Sequence, residues 1–133
     1  MVVKLDALGI VTSDMARSLA FYRLLGVETP LELDDHVEAE LPNGLRLMWD
    51  SLDLVRQINP NWQTPIGHRM GLAFLADSPA AVDVIYRKIV GSGHEGVKEP
   101  WNAFWGQRYA QVADPDGNVI DLFAPLESGG EPG

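Results

Sequence analysis

The sequence contains no cysteine, few basic residues and no long apolar run, and each shortage excludes a class of function. Without cysteine there are no disulfides, thiolate metal sites or cysteine nucleophiles. Ten lysines and arginines against nineteen acidic residues give a formal net charge of −9, so no nucleic-acid partner is expected. No signal-peptide pattern or membrane-spanning segment is present, so we expect a cytoplasmic protein without membrane contact.

The first half of the sequence has the pattern of a strand, a helix and three further strands. Leu5 to Thr12 is rich in apolar residues, and Asp14 follows as a helix N-cap. Apolar residues at three- and four-residue steps then predict a helix from Met15 to Leu25, which ends at Gly26. The three strands predicted after this helix are Val27–Thr29, Leu31–Leu41 and Gly44–Trp49.

The second half repeats this order after a linker of residues 50–67 with room for one short helical turn. Its predicted elements are a strand Met70–Leu75, a helix Ala80–Ile89, and strands Val97–Glu99, Arg108–Ala113 and Asn118–Phe123. Two anchors relate the halves: Asp14 corresponds to Asp77, and the turn glycine Gly44 corresponds to Gly117. The extra residues of the second half are placed around Trp101, Phe104 and Trp105.

An internal repeat in a chain of 133 residues predicts two modules that pack together as one α+β domain. We expect this domain to cover residues 1–126, with module one at about 1–58 and module two at about 66–126. The tail, residues 127–133, is rich in glycine, glutamate and proline and is expected to be disordered.

Two segments resemble the vicinal-oxygen-chelate superfamily, which includes glyoxalases, bleomycin-resistance proteins and dioxygenases. Residues 13–22, SDMARSLAFY, with Leu24-Leu25-Gly26 after them, resemble its first helix. Residues 105–109, WGQRY, and 114–118, DPDGN, resemble its last hairpin. The resemblance implies two βαβββ modules with curved mixed sheets that form a concave groove, completed in a homodimer.

Enzymes of this superfamily hold a divalent metal with four strand side chains, which the resemblance places at Ala7, Met48, Met70 and Asp121. A methyl group and two thioethers cannot replace imidazole and carboxylate ligands for such a cation. The three histidines, His36, His68 and His94, show no metal-binding spacing, and we interpret each as a surface or loop residue. We therefore expect no metal and no other cofactor.

Without a metal, the drug-binding role of the bleomycin-resistance members becomes the leading hypothesis. Stacking needs flat aromatic surface, and half two carries four aromatic residues within nine positions. Strand alternation adds residues from both halves to one face. The expected ligand groove is lined by Arg46, Met48, Trp101, Phe104, Trp105, Tyr109, Asp121 and Phe123.

Several aromatic residues and Asp121 also have a structural interpretation. Trp49 alternates with Met48 and is expected in the core, whereas Trp62 either caps a core or faces the groove. Trp101, Phe104 and Trp105 could instead close the sheet or form a dimer interface. Asp121 could serve only to bind backbone groups.

The sequence thus favours a homodimer that sequesters an aromatic small molecule without turnover, for example bleomycin or an intercalating peptide antibiotic. The acidic surface favours a neutral or cationic ligand. One alternative is a metal-free or atypically liganded isomerase, lyase or dioxygenase that uses Asp121, Arg108 or a histidine. Another is an accessory protein that shields an intermediate in natural-product biosynthesis.

Overall fold

A computed structural model describes residues 4–67 and 70–126 of the chain. The chain divides into two compact units, with the boundary between Pro65 and Ile66. Unit 1 contains β1 (Ala7–Thr12), α1 (Met15–Leu24), β2 (His36–Glu40), β3 (Arg46–Ser51) and α2 (Leu52–Ile58). Unit 2 contains β4 (Leu72–Leu75), α3 (Pro79–Gly91), β5 (Glu95–Ala103), β6 (Gln107–Ala113) and β7 (Val119–Pro125).

Each unit consists of a mixed sheet with helices, which confirms the predicted α+β class. The sheet of unit 1 has the strand order β1-β3-β2, and the sheet of unit 2 has the order β4-β7-β6-β5. In each sheet the first strand runs parallel to the last one of the unit, and the remaining strands pair antiparallel. None of the helices in the described residues is long and apolar enough to cross a membrane.

The predicted strand Val27–Thr29 is wrong, so the sheet of unit 1 has three strands where that of unit 2 has four. Val27 is buried, and its amide donates to the carbonyl of Tyr22 at the end of α1. The Arg23 side chain holds the segment further along, donating to Thr29 Oγ1 at 2.6 Å and to the Pro30 carbonyl at 2.9 Å. Hydrogen bonds therefore hold this segment at the end of α1, and Pro30 itself has no backbone N–H to donate to a sheet.

The turns that were aligned between the halves have the same hydrogen bonds. Gly44 donates to the carbonyl of Leu41, and Gly117 donates to the carbonyl of Asp114, both at 2.9 Å. Both glycines have φ near +90°, a conformation that other residues rarely adopt. The last turn of each unit therefore lies at the expected residues.

The helix anchors differ from the predicted alignment by one residue. Asp14 caps α1 by accepting from the amide of Arg17, but α3 is capped by Ser78, which accepts from the amide of Ala81. Ser78, not Asp77, is therefore the counterpart of Asp14. The strand pairs Gly9 with Met48 and Ala73 with Asp121 give the same alignment. The counterpart of Ala7 is consequently Gly71 rather than Met70.

The core of unit 1 forms between one face of its sheet and α1. Trp49 on β3 is fully buried, as predicted, and its ring packs edge-on against Tyr22 at a centroid distance of 5.5 Å. Leu47 lies on the same face of β3 and is also buried. Because side chains alternate along a strand, Arg46, Met48 and Asp50 lie on the opposite, open face of the sheet.

The core of unit 2 forms between α3 and the sheet face that carries Ala110, Val112, Ile120 and Leu122, all buried. Arg108 lies at one end of this interface and donates to both carboxylate oxygens of Asp83 on α3 at 2.8 Å. Its remaining guanidinium nitrogen donates to Asn102 on β5 at 3.1 Å. These contacts make Arg108 a structural residue that joins α3 to the sheet.

Two glycines in unit 2 provide a matched test of the packing between α3 and β5. A Cβ on Gly96 would overlap the hydroxyl of Tyr86, whereas a Cβ on Gly91 would meet nothing within 4 Å. We expect Gly96→Ala to lower the free energy of unfolding by about 1–3 kcal/mol through overpacking. Gly91→Ala should instead raise it by up to about 1 kcal/mol because alanine favours the helix. Urea unfolding measures both, and Tyr86→Phe should partly rescue Gly96→Ala; a neutral Gly96→Ala would contradict this packing.

Candidate functional site

The open face of the unit 2 sheet carries a row of apolar and aromatic side chains across all four strands. Residues paired between neighbouring strands point to the same side of a sheet. Tyr109 on β6 pairs with Trp101 on β5 and with Phe123 on β7, and Phe123 pairs in turn with Leu75 on β4. We call Trp101, Tyr109, Phe123 and Leu75 the apolar row. It contains three of the residues that the sequence assigned to the ligand groove.

Trp105 lies at the centre of an aromatic cluster at the β5 and β6 end of this row. Its ring makes edge-on contacts with Trp101, Phe104 and Tyr109 at centroid distances of 5.6, 4.9 and 5.2 Å. Such contacts favour a defined ring orientation. The Trp105 indole N–H also donates to Gln107 Oε1 at 2.8 Å. The cluster is therefore ordered by its own contacts before any ligand binds.

The aromatic cluster is presented to solvent by the hairpin between β5 and β6. Gly106, with φ at +93°, donates to the carbonyl of Ala103 and closes a tight turn that holds Phe104 and Trp105. Phe104 is 90% exposed and Trp105 is 48% exposed, which is high for residues of this size. Trp101 is less exposed, and its buried indole N–H has no hydrogen-bond partner among the described residues.

A second row of side chains runs beside the apolar row, and its members are polar on three strands. Gln111 on β6 pairs with Lys98 on β5 and with Asp121 on β7, and Asp121 pairs with Ala73 on β4. We call Lys98, Gln111, Asp121 and Ala73 the polar row. The two rows are two residues apart along each of β4, β6 and β7, or about 7 Å.

Hydrogen bonds connect the two rows at Gln111. Its amide nitrogen donates to Asp121 Oδ1 at 2.9 Å and to the Tyr109 hydroxyl at 3.1 Å. Burial raises the pKa of Tyr109, and its hydrogen bond to Asp121 raises that pKa further. The Lys98 ammonium lies 4.9 Å from the centre of the Trp101 ring, at cation–π distance. Gln111 and Lys98 were not predicted as site residues, since their place depends on strand pairing.

Arg46 and Met48, the other two residues assigned to the groove, lie on the open face of the unit 1 sheet. Arg46 forms ion pairs with Asp6 at 2.6 Å and with Glu38 at 2.5 Å, so its guanidinium already has two carboxylate partners. Met48 lies between Gly9 and Glu38 in the strand order. A single groove that combines these two residues with the aromatic cluster remains a prediction.

His36 has a more specific environment than the surface position predicted for it. Its Nδ1 lies 2.5 Å from Asp50 Oδ1, and its Nε2 lies 2.7 Å from Glu38 Oε2. The hydrogen bond to Glu38, followed by the one to Asp50, raises the pKa of His36. The hydrogen bond from His36, followed by that from Arg46, lowers the pKa of Glu38. Asp6, Arg46, Glu38, His36 and Asp50 thus form what we call the ion-pair network.

The ion-pair network was missed because its contacts join residues on different strands. In the sequence, His36 and Glu38 are two residues apart on one strand, and Arg46 and Asp50 are four residues apart on another. Each pair therefore faces one side of its own strand. Only the antiparallel register, which pairs His36 with Asp50, places the opposite charges together. A cavity of about 370 Å³ borders His36 and Glu38, and its other lining residues include Glu32 and Asp34.

The side chains at the expected metal positions do not suit a divalent cation. Ala7, Met48 and Gly71 provide no hard or borderline ligand, which leaves the single carboxylate of Asp121. Within residues 4–67 and 70–126, no three His, Asp or Glu side chains are arranged to hold a metal ion. Both ring nitrogens of His36 face carboxylates, so neither presents a free lone pair. His68 lies outside the described residues.

The pKa shifts in the ion-pair network define a pH window for its contribution to stability. The raised pKa of His36 means that its stabilisation is complete below the ordinary value of 6.5 and is lost as the pH rises through the raised pKa. The lowered pKa of Glu38 means that its stabilisation is complete above 4.5 and is lost as the pH falls through the lowered pKa.

We therefore expect His36→Gln to destabilise the protein most between these limits. Urea unfolding at about pH 5.5 should show a larger difference from the wild type than unfolding at about pH 8.5. Arg17→Gln, which changes an exposed charge outside the network, serves as the control and should show no such dependence. An equal loss at both pH values would contradict the hydrogen bonds assigned to His36.

Comparison with known proteins supports the expected family. The sequence-family model of the Glyoxalase/Bleomycin resistance protein/Dioxygenase superfamily matches residues 4–122 of this chain. No curated protein matches the sequence at a significant level.

Solved structures with a similar fold come from several bacteria. A glyoxalase/bleomycin resistance protein/dioxygenase from Nocardioides is 27% identical with a TM-score of 0.74, covering 100% of this chain and 89% of that one. A protein of unknown function from Agrobacterium tumefaciens is 26% identical with a TM-score of 0.71, covering 95% and 97%. A family enzyme from Burkholderia phytofirmans, at 19% identity and a TM-score of 0.82, covers 93% and 100% and is evidence for the fold alone.

Proposed function

We propose that this chain, which belongs to the Glyoxalase/Bleomycin resistance protein/Dioxygenase superfamily, binds a planar aromatic small molecule without a metal and without chemical turnover. The observation that carries the proposal is the exposed aromatic cluster on the open face of unit 2. Soluble proteins rarely leave indole and phenyl rings this exposed in contact with one another unless the surface has a partner.

The geometry of the cluster supports stacking of a flat ligand. Trp105 is 48% exposed while three ring contacts and one hydrogen bond hold its ring in place. A preordered ring loses little conformational entropy when a ligand stacks on it, so more of the contact energy contributes to affinity. The family name includes bleomycin resistance, and we extend the proposal to sequestration of bleomycin or of an intercalating peptide antibiotic in the cytoplasm.

An enzyme is less well supported by the contacts of the candidate acid–base groups. Arg108 is paired with Asp83 against α3, and both nitrogens of His36 are paired with carboxylates. Asp121 accepts a hydrogen bond from the neutral amide of Gln111, and among residues 4–67 and 70–126 it forms no ion pair with a histidine. A role in shielding a biosynthetic intermediate would use the same aromatic surface, and it differs from resistance only in the ligand.

A homodimer with a shared groove is part of the proposal, and light scattering tests it.

Substitution of the aromatic cluster tests the proposal. We expect Trp105→Ala to weaken binding of an aromatic probe about five- to a hundredfold, since stacking on an aromatic side chain contributes about 1–3 kcal/mol. It should change stability little because Trp105 is half exposed. Trp101→Ala should weaken binding comparably and also lower stability, since Trp101 is more buried.

The measurement is energy transfer from tryptophan to the neutral probe dansyl propylamide, followed by titration with bleomycin as competitor. Trp49→Phe is the matched control, because Trp49 lies in the core of unit 1. It should lose about 1–3 kcal/mol of stability and keep its affinity for the probe. If Trp105→Ala binds as tightly as the wild type, the aromatic cluster is not the binding surface.

Metal independence is a separate prediction that follows from Ala7, Met48 and Gly71. Zinc, manganese, nickel or iron at micromolar concentration should leave the melting temperature of a chelator-treated sample unchanged. A metal that binds the native state stabilises it by RT ln(1 + [L]/Kd). A saturable rise of several degrees with any of these metals would contradict the binding-only function.

A further inference from the structure

Asp121 is an anion beside an aromatic surface, and its direct partners are neutral. It accepts a hydrogen bond from the amide of Gln111 at 2.9 Å, and that amide also contacts the neutral hydroxyl of Tyr109. Within the part of the chain that the structure describes, no lysine or arginine forms an ion pair with it. Two cationic side chains of the unit 2 sheet have different partners: Arg108 pairs with Asp83, and Lys98 lies over Trp101.

The carboxylate of Asp121 retains capacity for a further donor. A carboxylate has two oxygens with about four lone-pair sites. The neutral amide of Gln111 leaves part of this capacity free, and the side chain is only partly buried. A charged donor gains more at such an acceptor than a neutral one does, because charge-assisted hydrogen bonds are shorter and roughly twice as strong.

The position of Asp121 relative to the aromatic rings determines which ligand could contact both the carboxylate and a ring. Asp121 belongs to the polar row, and the adjacent Tyr109 and Phe123 belong to the apolar row about 7 Å away. Lys98 lies at the opposite end of the polar row, two strands or about 10 Å from Asp121. A ligand could thus place a positive charge at Asp121 and an aromatic ring on the apolar row. Its charge would then lie away from the ammonium of Lys98.

We propose that Asp121 is the counter-ion for a protonated amine that the aromatic ligand carries on a short spacer. This inference rests on the proposed function and narrows its ligand to an aromatic ammonium compound whose spacer spans the roughly 7 Å between the apolar row and the polar row. Gln111 acts as a positioning residue, since it holds the Asp121 carboxylate and the Tyr109 hydroxyl in one geometry. Trp105 and Tyr109 contact the ring, and Asp121 contacts the ammonium.

The test uses two dansyl probes that differ only at the end of the spacer. Dansylethylenediamine ends in an ammonium group near neutral pH, and dansyl propylamide ends in a methyl group of similar size. We expect the wild type to bind the ammonium probe about tenfold more tightly, which corresponds to about 1.4 kcal/mol. Asp121→Asn should abolish this preference and keep the affinity for the methyl probe, because the amide retains the shape and the oxygen of the carboxylate.

Glu28→Gln is the control for overall charge, since Glu28 is exposed in the segment between α1 and β2. It removes the same charge and should keep the tenfold preference. Asp121→Ser removes the carboxylate with a smaller side chain and replaces the amide variant if circular dichroism shows that Asp121→Asn is unfolded. Loss of the preference in either Asp121 variant, together with its retention in Glu28→Gln, supports the assignment.

The remaining outcomes separate this inference from the proposed function. If both probes bind the wild type equally through Trp105, the aromatic surface is a binding site and the role of Asp121 is refuted. If the preference persists without the Asp121 carboxylate, it arises from the overall acidity of the protein and the assignment is again refuted. If neither probe binds, the proposed function fails and the inference fails with it.

Discussion

The pairing of β6 with β7, held against α3 on one side, is the constraint on which the candidate site depends. Ala110, Val112, Ile120 and Leu122 are buried on the helix side, so their neighbours along each strand must face the open side. A slip of one residue would expose this buried set and turn Tyr109 and Asp121 into the core. The bidentate contact between Arg108 and Asp83 adds a polar connection at the edge of the same interface. The residues buried on one face of the sheet thereby determine which side chains are presented on the other face.

The two open faces differ chemically although the three strands of unit 1 follow the same order as three of the four strands of unit 2. On unit 1 the ion-pair network joins five side chains of alternating charge, so these groups mainly satisfy one another. On unit 2 the aromatic cluster is ordered but exposed, and Asp121 has only neutral direct partners. Free interaction capacity is therefore concentrated on unit 2, which is why the ligand is assigned there.

Features that depend on neighbouring residues could be predicted from the sequence. The cap of α1 at Asp14, the hairpin turns at Gly44 and Gly117, and the buried side of β3 all follow from local preferences and alternation. The pairing of Gln111 with Asp121 and of His36 with Asp50 could not, because each depends on register between strands. The missing strand at Val27–Thr29 has a cause nearby in the sequence, since hydrogen bonds to Tyr22 and Arg23 hold that segment at the end of α1. The one-residue shift between Asp77 and Ser78 arose because either residue can cap a helix.

The shift from Met70 to Gly71 strengthens the case for a site that works without metal. Both alignments place a residue without a hard ligand directly before β4, but glycine also leaves the position without a side chain. Ala73, the neighbour of Asp121 on β4, is equally small. The Asp121 position therefore has Ala73 as its neighbour on β4 and Gln111 as its neighbour on β6. A metal ion would need further oxygen or nitrogen ligands there, whereas an organic ammonium needs only an acceptor and apolar surface for its carbon atoms. The residues around Asp121 provide an acceptor and such a surface, which favours an organic cation over a metal at this position.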